Sequence, residues 1–359
     1  MNILVTGGAG YIGSHAVLRL VEAGHFVQVV DNLDRGNRGA VETLRSIGGD
    51  RVGFTEMDVR DGARLLETMR RERIDSVMHF AALAYVGESV DEPLRYYDNN
   101  AVGSLSVINA ALEAGVARFI FSSTCASYGE PGEEHLPIDE TCPQDPVNPY
   151  GRSKLVTEWM LRDAAAAAEL RGQPFAFAAL RYFNVAGADK QTRLGEDHRP
   201  ESHLIPICLE VALGKREALT IYGSYYPTPD GTCIRDYIHV DDLADAHVKA
   251  LAYLGGGGDT TAVNVGTGVG SSVLDVLNAT ADVAGKPVPY DVAPRRAGDP
   301  VSTYSDPTFA QTALGWRAQY GLKEIINSAY TWHRSQMESD ARSTPQDRPH
   351  PVWPTDAAR

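Results

Sequence analysis

A doubly wound α/β fold is predicted by three observations. Short β-branched runs alternate with longer amphipathic stretches through the first half of the chain; the first run passes directly into a glycine-rich turn that opens a helix; and the second run ends on an aspartate. Strand, helix and strand at this cadence imply right-handed crossovers and a parallel sheet covered on both faces, with any ligand at the carboxyl ends of the strands.

Taken in order, the candidate strands are NILVT (2–6), FVQVVD (26–31), VGFTEMD (52–58), SVMHFAA (76–82), RFIFSS (118–123) and FAFAALRYF (175–183). Between them, 11–23, 61–73 and 101–114 have the apolar spacing of helices, and 90–114 and 150–171 are expected to be longer helical stretches. From about residue 182 the rhythm breaks into loops rich in Asp, Pro and Gly, with helices expected near 204–213, 241–254 and 272–284. DYIHVDDLADAHVKALAYL and AVNVGT again suit the main sheet. The expected division is therefore 1–181 with 236–267 for the sheet domain, and 182–235 with 268–337 for a smaller, discontinuous α/β substrate lobe. The four glycines at 255–258 mark a surface loop. Residues 338–359, aperiodic and carrying four prolines, read as a disordered tail.

The 359 residues suit two domains at roughly 150 residues each. A net charge of −14, with no Lys/Arg-rich run, argues against a nucleic-acid or anionic-membrane partner. No apolar run approaches the ~18 residues of a membrane helix, and the N-terminus lacks the pattern of a signal peptide, so a cytoplasmic protein is expected. Cys125, Cys142, Cys208 and Cys233 are widely spaced; they predict reduced thiols and no metal site.

Gly7, Gly10 and Gly13 form a G-x-x-G-x-x-G series between strand and helix. Glycine lets the backbone approach a pyrophosphate closely, and the helix start favours the anion, which makes the fold Rossmann-like. Asp31 ends the second strand 18 residues after Gly13, where a carboxylate can accept both hydroxyls of an adenosine ribose and repels a 2′-phosphate. NAD is thus preferred over NADP, although Arg35 nearby is a residue type able to hold that phosphate.

Asn148-Pro149-Tyr150-Gly151-Arg152-Ser153-Lys154 leads into a helix, with Tyr150 and Lys154 one turn apart on one face. A tyrosine with pKa near ~10 is a poor base at neutral pH, and a neighbouring ammonium, aided by a positive nicotinamide ring, is expected to lower it. Upstream, Ser122-Ser123-Thr124 closes the fifth strand, placing a hydroxyl toward the same crevice. Acid/base catalysis by Tyr150, supported by Lys154 and Thr124, is the chemistry this constellation suggests.

Together TGGAGYIGSH, DNL, HFAALAYVGES, YYDNN, FSSTCASYGE, NPYGRSK, LRYFN, GTCIRDYIHVDDLADAH and APRRAGDP resemble an extended short-chain dehydrogenase/reductase. Within that family the resemblance is to the UDP-glucose (UDP-galactose) 4-epimerase group, over residues 1 to about 335. It implies tightly bound NAD+ regenerated in every cycle, Tyr150 as the base at the sugar 4-hydroxyl, Lys154 as its electrostatic partner and ribose anchor, and Thr124 as the second hydroxyl. It also implies a homodimer paired through helices 90–114 and 150–171. Implied cofactor contacts are Tyr11, Ile12, Asp31, Asn32, Leu33, Arg35, Gly36, Asp58, Val59, Phe80, Ala81, Ala82, Ala84, Asn99, Ser122 and Phe183. Ala84 departs from the lysine of some members, and a helix N-terminal cap is the alternative local reading of Asp58. Implied nucleotide-sugar contacts are Asn184, His203, Leu204, Thr220, Tyr222, Arg235, Arg296 and Asp299; His203 stands where some members have asparagine, and His239 and His247 are expected in a helix with structural roles.

Thr303 falls where a bulky tyrosine in some members would border the sugar's 2-substituent, so N-acetylhexosamines are expected to fit as well. UDP-pentose 4-epimerases match several of the same motifs. The related 4,6-dehydratases carry acidic residues after the strand-end threonine, where this chain has Cys125 and Ala126. A catalytically silent NAD-binding module on the same fold is opposed by the intact Thr124, Tyr150 and Lys154.

Overall fold

The computed structural model describes residues 1–198, 200–296 and 299–342. Seven parallel strands form the main sheet: β1 (Asn2–Thr6), β2 (Phe26–Asp31), β3 (Val52–Glu56), β4 (Ser76–His79), β5 (Arg118–Thr124), β6 (Ala176–Tyr182) and, returning from the second half, β10 (Thr261–Val265). Their order is β10-β6-β5-β4-β1-β2-β3. Chain direction across the sheet reverses between β1 and β4, and this switch point opens the crevice in which such sheets bind ligands.

Both faces are covered, so the strands are apolar on both sides. On one face α1 (Tyr11–Glu22), α2 (Arg38–Gly48) and α9 (Val240–Gly255) pack, burying Val17, Leu20, Val29, Leu243 and Leu251. On the other lie α3 (Gly62–Arg71), α6 (Gly103–Ala114) and α7 (Pro149–Leu170), around Leu65, Val107, Phe119 and Leu161. Each such side chain, fully buried, contributes about 1.5–3 kcal/mol.

The single helix expected over 90–114 is instead broken into α4 (Val86–Asp91), α5 (Pro93–Tyr96), a wider π-turn at Tyr97–Val102, and α6. Pro93 is the cause: it cannot continue α4 but is well suited to the first turn of α5.

The smaller lobe is built from β7 (Asn184–Ala186), α8 (Leu204–Ala212), β8 (Leu219–Tyr222), β9 (Ile234–His239), β11 (Gly270–Ser272), α10 (Val273–Ala284), β12 (Tyr290–Ala293), β13 (Ser302–Thr303) and α12 (Leu322–Arg342), whereas α11 (Thr308–Leu314), expected in that lobe, instead buries Ala310 and Leu314 in the main-sheet core beside α9 and β10. β9 pairs with β7, β11 and β13, while β8 pairs with β12. The lobe has its own core, including Ile205, Leu209, Ile221, Val276 and Ile325.

His239, expected within a helix, instead ends β9, and its Nδ1 accepts from the Asp241 N–H at the start of α9. Residues 338–342, expected in the disordered tail, instead belong to α12, which continues to Arg342; the rest of that expected tail, 343–359, lies outside the described residues.

Candidate active site

At the end of β1, Gly7 has φ +72°, and a Cβ there would sit 2.5 Å from the Ala81 nitrogen. At Gly13 a Cβ would come within 2.2 Å of the Gly7 carbonyl oxygen. Only glycine fits at either place, so the turn lies flat against the loop after β4. Gly10 is the N-cap of α1, which has no side-chain cap and no acid in its first turn. A helix start left in this state, opened by Gly10, Tyr11 and Ile12, suits a pyrophosphate. The Tyr11 hydroxyl is turned away, donating to the Gly187 carbonyl at 2.7 Å.

Asp31 is 7% exposed. Its carboxylate accepts from the Ala9 and Leu33 N–H groups at 3.0 and 2.9 Å, and burial raises its pKa. Leu33 adopts a left-handed conformation (φ 61°), and a Cβ on Gly36 would lie 2.6 Å from the Asp31 carboxylate. The loop is thereby folded back over the acid. Arg35 is committed to Glu88 at 2.6 Å and lies over the Tyr85 ring. Asp58 accepts from Arg60, which holds its carboxyl below the usual range; Asp61, rather than Asp58, caps α3. Val59 is buried beside it.

After β4, Phe80 and Ala81 both donate backbone N–H groups to Thr6, and Ala82 and Ala84 follow in the same loop. Asn100, which the sequence reading did not single out, fixes this loop. Its side chain bonds both the N–H and the carbonyl of Leu83, at 2.8 and 3.0 Å, and reaches the Ser153 hydroxyl at 3.0 Å. Asn99 donates to the Asn100 side chain.

The helix that carries the Tyr-Lys pair begins where Asn148 accepts from the Gly151 N–H, with Pro149 in the first turn. Tyr150 and Lys154 are 7% and 4% exposed. Lys154 Nζ donates to the Ser122 carbonyl at 2.8 Å, lies 5.0 Å from the Phe121 ring centre and 6.0 Å from that of Tyr150. The Thr124 side chain acts on Tyr150 in the direction that favours the phenolate, and its hydroxyl accepts from the Ala126 N–H. The Ser122 hydroxyl pairs with that of Tyr182 at 2.5 Å.

Burial is the largest influence on Tyr150 and raises its pKa, outweighing Thr124; burial also pushes Lys154 down to about 7. The ammonium is spent on the Ser122 carbonyl, so the chain's own groups do not make Tyr150 a strong base.

The same helix face continues to Glu158, a third turn that the sequence reading passed over. Its carboxylate accepts from Ser123 at 2.6 Å and from Arg181 at 2.9 and 2.6 Å, and Arg181 reaches the Tyr128 hydroxyl at 2.8 Å. Burial disfavours the Glu158 charge, but Arg181 and Ser123 overcome it and hold the carboxyl below its usual range. This ties α7 to the ends of β5 and β6, the strands that present Thr124. The spacing 150, 154, 158 was the available signal.

Across the crevice Phe183 is buried against Tyr128 and Ile138, and Asn184, at the start of β7, is exposed. Thr220 and Tyr222 project from the exposed face of β8. The Arg296 guanidinium lies 3.7 Å from the Tyr222 ring centre. Arg235 donates to Asp299 at 2.7 Å, and Thr303 pairs in register with Arg235 across β13 and β9. Leu204 opens α8. The His203 ring is turned into a cluster with Glu196 and Glu201; burial opposes its charge, but the two carboxylates lift its pKa to about 10. Desolvation pushes the thiol of the half-buried Cys125 up to about 12, and neither it nor Ala126 offers the acid a dehydratase needs.

Residues 3–266 match the NAD dependent epimerase/dehydratase family. A UDP-glucose 4-epimerase of Rhizobium leguminosarum bv. trifolii is 46% identical over 332 residues, 92% of this chain and 97% of that protein. Among solved structures, UDP-glucose-4-epimerase from Stenotrophomonas maltophila, with bound NAD and formylated UDP-arabinopyranose, superposes with a TM-score of 0.90 at 42% identity. That superposition covers 94% of this chain and 99% of that one. The UDP-Glc/GlcNAc 4-epimerase of Campylobacter jejuni gives a TM-score of 0.80 at 43% identity, covering 93% and 99%. With a family match over most of its length and relatives of this identity along nearly all of it, the chain belongs to the NAD dependent epimerase/dehydratase family.

Proposed function

We infer that the chain is an isomerase that interconverts UDP-galactose and UDP-glucose by inversion at C4, with NAD as its resident cofactor. The observation that carries this reading is the convergence of Thr124 and Tyr150 at the end of β5, with Lys154 anchored beneath them. Gly7, Gly10, Gly13 and Asp31 suit the dinucleotide, as do the uncapped start of α1 and the loop from Asn32 to Gly36. NAD+ held by these residues would supply a hydride acceptor for C4 and a positive ring that favours the Tyr150 phenolate.

The chain's own residues handle the proton and the sugar. Tyr150 Oη takes the proton of the 4-hydroxyl and gives it back to the 4-keto sugar after the sugar has turned its other face. Thr124 donates to or accepts from the same sugar oxygen, and Lys154 holds the geometry. Arg235 and Arg296 serve the diphosphate, because a planar guanidinium forks onto phosphate oxygens. Asn184, His203, Leu204, Thr220, Tyr222 and Asp299 complete the nucleotide-sugar side. Thr303, small where it borders the sugar, extends the range to UDP-N-acetylhexosamines; the arabinopyranose ligand of the Stenotrophomonas relative favours a second, UDP-pentose activity.

Exposed apolar side chains on α4 to α7, among them Val90, Leu94, Val102, Leu105 and Trp159, support a homodimer formed through these helices. Among the described residues no helix is long and apolar enough to cross a membrane, and we place the enzyme in the cytoplasm, in galactose metabolism. Mixing the purified protein with UDP-galactose, without added NAD, tests the reading: UDP-glucose should accumulate to equilibrium. A protein that retains NAD and forms no UDP-glucose is a silent binding module instead.

A further inference from the structure

Between β7 and α8 the chain runs Glu196-Asp197-His198, then Glu201-Ser202-His203, and this segment folds so that two carboxylates and two imidazoles meet. Glu196 Oε1 lies 3.0 Å from His198 Nδ1 and 3.0 Å from His203 Nδ1. Glu201 Oε1 lies 2.9 Å from His203 Nδ1, and Glu201 Oε2 lies 4.0 Å from His198 Nδ1. All four residues offer a donor atom within 4.8 Å of the others. A tetrahedral zinc sphere with metal–ligand bonds of about 2.0 Å has edges of about 3.3 Å, which these separations bracket.

We propose that Glu196, His198, Glu201 and His203 bind one divalent transition-metal ion of the zinc class. The donor set favours it, since mixed imidazole and carboxylate ligands suit zinc and its neighbours over calcium or magnesium. Burial favours it as well: the Glu196 and Glu201 side chains are only 4% and 8% exposed, and buried carboxylates are held by positive charge, which the ion would supply in place of the His203 proton. The ligands are also oriented from behind. The backbone N–H groups of Ser202 and His203 donate to Glu201 at 2.7 and 2.8 Å, the kind of support that aims a metal ligand.

A cavity of about 80 Å³ adjoins the cluster and is lined in part by Glu196, His198, Glu201 and His333 of α12. The buried His333 Nε2 has no hydrogen-bond partner among the described residues. The ion would fix this segment beside Tyr11 and Tyr85, whose rings flank His198 at 6.1 and 5.9 Å, and so join the start of α1 to the start of α8. Sequence reading looked for metal spacing among the cysteines and therefore missed the interleaved Glu-x-His-x-x-Glu-x-His.

The test uses the full-length protein with its bound cofactor, stripped of metal by a chelator, dialysed, and titrated with ZnCl2 and separately with CoCl2. Wild type should take up one equivalent and show the intense visible bands of four-coordinate cobalt. His198→Gln and Glu201→Gln should bind at least about tenfold more weakly, with cofactor content and far-UV circular dichroism as folding controls. No saturable uptake by folded wild type, or uptake unaltered in both variants, overturns the proposal. The readout is metal binding, so it stands apart from any failure of the epimerase reading.

Discussion

Lys154 Nζ sits 2.8 Å from the backbone carbonyl of Ser122, so the lysine of the helix is tethered to the strand that carries Thr124 two residues further on. Burial pushes the pKa of this amine down to about 7. Replacing it with methionine keeps the apolar stem and removes both the tether and the charge. Lys154→Met should lower kcat by at least about a hundredfold, the scale of a positioned acid/base function, and weaken retention of NAD. Steady-state rates with UDP-galactose, together with cofactor quantified after denaturation, check both outcomes.

Asp31 is the second point of attack. Its two backbone hydrogen bonds hold the carboxylate at the end of β2, so removing the side chain costs the adenosine ribose its acceptor. Asp31→Ala should purify with much less NAD than wild type and regain part of its activity when NAD is added in excess. Cofactor content comparable to wild type would remove Asp31 from the site.

Glu158 tests the support beneath the catalytic pair. With Arg181 buried against it, Glu158→Gln leaves a guanidinium without its counter-charge, and breaking such a pair typically costs about 3–5 kcal/mol. The folded pKa of Glu158 is depressed, so its contribution is fully present above the unfolded carboxyl's pKa of about 4.3 and is lost as pH falls through the lower folded value. Denaturant unfolding should therefore show a large gap between wild type and variant at pH 7 that narrows on acidification below about pH 4.

Thr303 addresses the sugar range. Thr303→Tyr should preserve turnover of UDP-glucose and depress that of UDP-N-acetylglucosamine; product analysis on both substrates measures the ratio. Equal loss on both would mean that the side chain shapes the lobe and not the sugar pocket.

Much of this was legible in the chain itself, for physical reasons. The six early strands and α1, α3 and α7 lie within a few residues of their expected places, because a sheet buried on both faces writes continuous apolar runs and helix starts such as Asn148-Pro149 are local signals. What stayed hidden depends on contacts far apart in sequence. Asn100 reads as an ordinary polar residue until Leu83 and Ser153 come to it. Glu158 acquires its meaning from Arg181, on the following strand. The break at Pro93 was readable, but the apolar spacing of 90–114 masked it. The small strands β7, β11 and β13 have too few residues for a period, and exist because β9 provides a partner.

The central claim is that Tyr150 moves the proton of the sugar 4-hydroxyl in a protein that already holds its NAD. The most direct measurement follows conversion of UDP-galactose to UDP-glucose, without added cofactor, by wild type and Tyr150→Phe prepared side by side, with bound NAD quantified in each. The account predicts conversion by wild type and a loss of at least about a hundredfold in the variant, at unchanged NAD content. Near-wild-type turnover by Tyr150→Phe would contradict it.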